Sequence, residues 1–82
     1  MKIVKYVVKN DGVPLLFSPK ITHSDVAKNS ISAGFAIISY DLVNNKFIVK
    51  CYGYSSSLKI GVNETDFKII QEYLNNLLWN CR

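Results

Sequence analysis

The chain's hydrophobic periodicity predicts one α+β domain over residues 1–82, a three- or four-stranded antiparallel sheet of two β-hairpins with a C-terminal amphipathic helix packed on one face. Three observations carry this expectation. Apolar residues alternate with polar ones in paired segments separated by turn residues, the period then changes from two to about 3.6 after Asn63, and 82 residues suffice for a single core.

From Lys2 to Lys9 the residues are β-branched or aromatic with Lys interspersed, and Asn10-Asp11-Gly12 follows as a turn before Val13-Pro14-Leu15-Leu16-Phe17. Asp-Gly supplies positive φ for a tight reversal. Pro14 withdraws a ladder donor, which places the second strand at an edge or at its own start. Ser18 to Ser30 is polar loop, apart from a short helical turn around Thr22-His23-Ser24-Asp25-Val26-Ala27, where Thr22 and Asp25 have capping-box spacing.

Ile31 to Tyr40 and Lys46 to Tyr54 are the clearest strands and are expected at the centre of the sheet, joined through Asp41-Leu42-Val43-Asn44-Asn45, whose paired Asn tolerate left-handed backbone angles. Ser55-Ser56-Ser57 breaks the pattern, and Leu58-Lys59-Ile60 offers a short further strand. Beyond Asn63, the residues Phe67, Ile70, Leu74, Leu77 and Leu78 recur on one stripe, flanked by Ile69 and Tyr73. This helix is expected to reach about Trp79. Asn63 or Thr65 can cap its start, where Glu64 and Asp66 complement the dipole, and Arg82 lies close to its negative end.

Alternation sorts the side chains of the Lys46–Tyr54 strand into two sets. Phe47, Val49 and Cys51 form the core set; Lys46, Ile48, Lys50, Tyr52 and Tyr54 form the open set. If Phe35 and Ile37 also face the helix, then Ser32, Gly34, Ala36, Ile38 and Tyr40 join the open side. Lys46, Ile48, Lys50, Tyr52, Tyr54 and Tyr40 are therefore the expected partner-binding residues, since Tyr is enriched at interfaces and an exposed apolar and aromatic patch usually has a use. The plainer alternative is a solvated face whose Tyr and Lys stems simply cover the sheet.

Composition narrows the function classes. A 49% hydrophobic and 20% charged chain lies far from the disordered regime, and its net charge of +4 would attract an acidic partner. Nine of the ten basic residues are Lys, however, which fits phosphate reading less well than Arg, so nucleic acid is the secondary expectation, with Tyr52 and Tyr54 stacking and Lys46 and Lys50 near phosphates. The N-terminal segment has no apolar run of signal-peptide length, and no stretch approaches the ~20 residues that cross a bilayer. With only Cys51 and Cys81, neither a disulfide framework nor a metal spacing emerges, and the default compartment is the cytoplasm.

No catalytic constellation stands out, and no cofactor, metal or enzymatic activity is expected. His23-Ser24-Asp25 holds the residue types of a hydrolase triad, but three consecutive residues cannot converge on one proton path. Cys51 with His23 is a conceivable nucleophile and base, against which stands the apolar setting expected for the thiol. The acids sit at turns and in the first turns of the helix, and the four glycines are isolated. Gly34 and Gly53, within or at the end of strands, suggest a bulge or a close backbone approach.

The segments Gly12-Val13-Pro14-Leu15-Leu16-Phe17-Ser18, His23-Ser24-Asp25-Val26-Ala27, Ser32-Ala33-Gly34-Phe35 and Cys51-Tyr52-Gly53-Tyr54-Ser55 resemble those of small uncharacterised proteins of bacteria and their phages. The resemblance covers most of the chain and implies a bacterial or mobile-element origin; it brings no activity to any residue. The leading expectation is thus a non-enzymatic module acting through protein contacts, with a larger partner or with itself.

Overall fold

Residues 1–26 and 29–80 are described by a computed structural model, the last three by their backbone alone. The elements run β1 (Lys2–Lys9), β2 (Pro14–Phe17), α1 (His23–Val26), β3 (Ser30–Asp41), β4 (Lys46–Tyr52), β5 (Tyr54–Ser55), β6 (Ile60–Gly61) and α2 (Asp66–Asn80). The expected positions of Ala27, Cys81 and Arg82, and of the Leu78 side chain, fall outside the described residues.

Both hairpins form. β1 and β2 pair in antiparallel register from Lys5↔Phe17 to Val8↔Pro14, and the turn is tied by the Val13 N–H donating to Asp11 Oδ1 at 3.0 Å. β3 and β4 pair from Phe35↔Tyr52 to Asp41↔Lys46. Their turn is pinned by Asp41, whose carboxylate accepts from the Val43 and Asn44 N–H groups and from Asn44 Nδ2, while Asn45 takes a φ of 53°. Those bonds, the Asn44 side chain first, hold the Asp41 carboxyl below the usual carboxylate range.

One expectation fails in the strand order, which is β2-β1-β3-β4, so that β4 lies at an edge and the centre is formed by β1 with β3. The reason lies in β1. Its Tyr6, Val7 and Val8 are fully buried, so both of its faces and both of its ladders are covered.

Gly53 ends β4. Its φ of +91° turns the chain out of the main sheet into the small β5–β6 ribbon, and a Cβ there would lie 2.9 Å from the Phe35 ring. The further strand expected over Leu58-Lys59-Ile60 is met only at Ile60, where β6 begins; Leu58 and Lys59 lie in the turn before it, Lys59 with a φ of 58°. The ribbon lies against β3 where Gly34 leaves room: a Cβ at Gly34 would meet Tyr52 O and Val62 Cγ2, each at 2.7 Å. The close-approach reading of both glycines holds.

α2 covers the face formed by Val4, Tyr6, Val8, Ala36 and Val49, into which Ile70 is fully buried, with Ile69 and Leu74 packed alongside. The buried stripe differs from the expected one. Phe67 is nearly half exposed, because the stripe of residues 67, 71 and 75 looks toward the edge of β4 rather than into the core; Leu77, two turns beyond the buried Ile70 on the same side, is nearly half exposed as well. Asn63 precedes the helix, and its N–H donates to Asp66 Oδ2 at 2.9 Å, the backbone half of a capping box. At α1 the turn is closed by the Asp25 N–H donating to Thr22 O at 3.0 Å. Among the described residues no helix is long and apolar enough to cross a membrane.

Candidate functional site

Cross-strand register decides which side chains share the sheet face opposite α2. Lys50 pairs with Ile37, and Ile37 with Ile3; Tyr52 pairs with Phe35, Phe35 with Lys5, and Lys5 with Phe17; Ile48 pairs with Ser39. Four of the expected residues, Lys46, Ile48, Lys50 and Tyr52, therefore stand together on β4.

Tyr40 does not join them. It pairs with Phe47 on the α2 side, where the two rings meet edge to face with centroids 5.1 Å apart. The same correction applies to the whole of β3: Ser32, Gly34, Ala36 and Ile38 lie toward α2, and Phe35 and Ile37 lie on the open face. Tyr6 is the physical cause. Its fully buried ring occupies the volume beside Gly34 and Ala36, so the small residues of β3 must point inward and the large ones outward. Tyr54 is exposed but belongs to the β5–β6 ribbon beyond Gly53, not to this strand.

The face has two halves. Over one end lies α1, whose buried His23 places its ring edge-on between Phe17 (5.5 Å) and Phe35 (6.0 Å) and donates from Nε2 to Gly34 O at 2.9 Å. Val7 and Ala33 are fully buried there. Among the described residues no element packs over the other half, which is bare. On it Tyr52 is stacked against Phe35 with centroids 5.5 Å apart and planes 21° apart, and Ile3 and Tyr52 are each 44% exposed. Lys5 reaches across to the Ile21 carbonyl at 2.9 Å and holds its ammonium 5.8 Å from the Phe35 centroid, a cation over an aromatic face.

Lys5, Lys46 and Lys50 rise from the bare half, with Asp41 opposite Lys46 at its far end. The α2 side carries Lys2 and Lys68 as well as Glu64 and Glu72, and Asp66 is buried. At the β3–β4 tip Leu42 and Val43 are almost wholly exposed, which extends the apolar surface beyond the sheet.

Cys51 lies on the opposite face from His23, so the two cannot act as nucleophile and base. Its thiol is half-buried and lines an open groove with Val49, Phe67 and Gln71. Burial pushes it up to about 11, with Asp66 adding to the rise and the Tyr6 hydroxyl partly opposing it, so the protonated, unreactive form prevails near neutrality. Among the described residues no group of three His, Cys, Asp or Glu side chains could hold a metal ion.

Sequence reasoning missed a buried polar cluster beneath α2. Asp66, 1% exposed, accepts from Tyr6 Oη at 2.5 Å, from Ser32 Oγ at 2.8 Å and from the Asn63 N–H at 2.9 Å. A carboxylate with three donors is satisfied in place, which makes it a structural fastener between the helix start and the two central strands. The visible signal was the capping spacing of Asn63 and Asp66; nothing local pointed to Tyr6 or Ser32.

No protein-family model matches the chain, and no curated protein or solved structure matches it.

Proposed function

We propose that this chain is a small non-enzymatic binding module that docks a protein partner on the bare half of its sheet, the partner presenting carboxylates around an apolar centre. The observation that carries this reading is the exposed Ile3 with the partly buried Ile37 and Ile48 near the Tyr52–Phe35 stack, flanked by Lys5, Lys46 and Lys50. Apolar and aromatic area supplies the desolvation gain, and the lysines select an acidic counterpart and speed encounter. Tyr40 plays no part in this surface, and Tyr54 stands apart from it.

Single-stranded nucleic acid is the second reading, favoured by one feature, an exposed tyrosine ring flanked by lysines. Amide-resonance titrations with acidic peptides containing Leu or Phe, and separately with oligo-dT and oligo-rU, distinguish the two. The protein reading expects perturbation at Ile3, Ile37, Ile48, Lys50 and Tyr52 by peptide, lost in a Lys50→Glu/Tyr52→Ala variant. Perturbation by oligonucleotide that collapses with added salt favours the second reading. A face silent toward both, in a chain that sediments as a monomer at every concentration, would leave it as plain solvated surface.

A further inference from the structure

β4 is the exposed edge of the main sheet, and the N–H and C=O groups of Phe47, Val49 and Cys51 point away from β3 toward whatever lies beyond. Such an edge is a template for another strand unless something occupies it. Two side chains of α2 do so. Gln71 Oε1 accepts from the Val49 N–H at 3.0 Å, and Asn75 Oδ1 accepts from the Phe47 N–H at 2.8 Å, with Asn75 Nδ2 set 3.5 Å from Phe47 O.

The spacing makes this a matched pair. Residues four apart on a helix rise about 6 Å, and residues two apart on a strand advance about 6.8 Å, so consecutive turns of an antiparallel helix meet consecutive outward N–H groups. A carboxamide carries the acceptor and donor of a peptide group, so Gln71 and Asn75 together stand in for a fifth strand. One turn earlier the residue in series is Phe67, which has no acceptor; it and Cys51 line the open groove instead.

We propose that Gln71 and Asn75 close the β4 edge against strand addition by a second copy of this chain. The edge would otherwise suit self-pairing. An antiparallel β4–β4 contact about a two-fold axis at Val49 sets Lys50 opposite Ile48, Lys46 opposite Tyr52 and Phe47 opposite Cys51, with no lysine facing a lysine. The contact uses the rim of the sheet, not the face proposed to dock a partner, and stands independently of it.

The test is a Gln71→Ala/Asn75→Ala variant, in which alanine keeps helix propensity and removes both acceptors. Sedimentation is expected to show a concentration-dependent rise from the parental mass to twice that mass. Amide exchange at Phe47 and Val49 is expected to run roughly tenfold faster than in the parent at low concentration, and to slow again as the dimer forms. A Gln71→Glu/Asn75→Asp variant, which keeps the acceptors, should retain the parental mass. If the double alanine variant fails to fold, Asn75→Ala alone carries the test, opening Phe47 with a weaker rise in mass. Parental mass throughout for whichever alanine variant folds, or parental Phe47 and Val49 amides that exchange as fast as unprotected ones, overturns the proposal.

Discussion

Tyr6, near the start of the chain, donates its phenolic proton to Asp66, at the first turn of the last helix, across 2.5 Å in a site that water does not reach. The bond joins β1, at the centre of the sheet, to the start of α2. It also explains why a carboxylate survives in the core, since Ser32 and the Asn63 N–H complete its shell.

Removing either end of this bond should be costly. Asp66→Ala strands the Tyr6 and Ser32 hydroxyls, and a loss of about 2–5 kcal/mol is expected from two unsatisfied buried groups. Tyr6→Phe removes one donor to a charged acceptor and should cost about 1.5–3 kcal/mol. Urea midpoints measure both. A parental midpoint for Asp66→Ala would mean that the cluster contributes nothing to stability.

Stability should fall on the alkaline side. An unfolded Cys ionises near about 8.5, whereas burial holds the Cys51 thiol up to about 11. Across that window the unfolded chain sheds a proton that the folded chain keeps, so rising pH favours unfolding. Tyr6 repeats the pattern higher: burial, then Asp66, keep its phenol protonated well beyond the roughly 10 at which an unfolded Tyr titrates. Denaturation followed from pH 7 to 11 should show a decline that Cys51→Ala reduces below about pH 10, and Tyr6→Phe reduces above it. In a Cys81→Ser background, iodoacetamide should alkylate Cys51 at pH 8 about a hundredfold more slowly than in urea.

His23 should prove structural. His23→Ala removes the imidazole donor to the Gly34 carbonyl and unpacks the edges of Phe17 and Phe35, for an expected loss of about 2–4 kcal/mol. Thermal unfolding would register it. Unchanged melting would imply that α1 covers the sheet without holding it.

Alanine at Gly34 should force Tyr52 O and Val62 aside and cost about 1–3 kcal/mol. Gly53→Ala adds the left-handed backbone penalty to a contact with the Phe35 ring, for a loss of about 2–3 kcal/mol. Calorimetry of the two variants gives both values, and parental melting in either would refute the close approach inferred there.

Much of the fold is legible in the sequence, because each element carries local physics. Alternation marked β1 and β4, Asp-Gly and paired Asn marked the turns, and the 3.6-residue period marked α2. The candidate surface was only half legible. On β4 the alternation separates apolar from polar residues, so Ile48, Lys50 and Tyr52 sorted correctly against Val49 and Cys51. On β3 both alternating sets are apolar, and periodicity has no contrast with which to choose. The choice is made by Tyr6, which is brought to Gly34 only by the β1–β3 register, a long-range fact. Lys5 and Ile3 were missed for the same reason, since their strand was not expected beside β3. Gln71 and Asn75 carry no local signal, since their role follows only from β4 lying at an edge.

The left-handed residue at 53 has one more consequence. It cuts the polypeptide's hydrogen-bond ladder into two unequal lengths, so the four residues of β5 and β6 can melt as a patch while every rung between β3 and β4 stays closed. The stretch from Gly53 to Val62 thus forms a seam of its own. Parting that seam uncovers the flank of β3 at Gly34 and leaves the bed of α2 untouched.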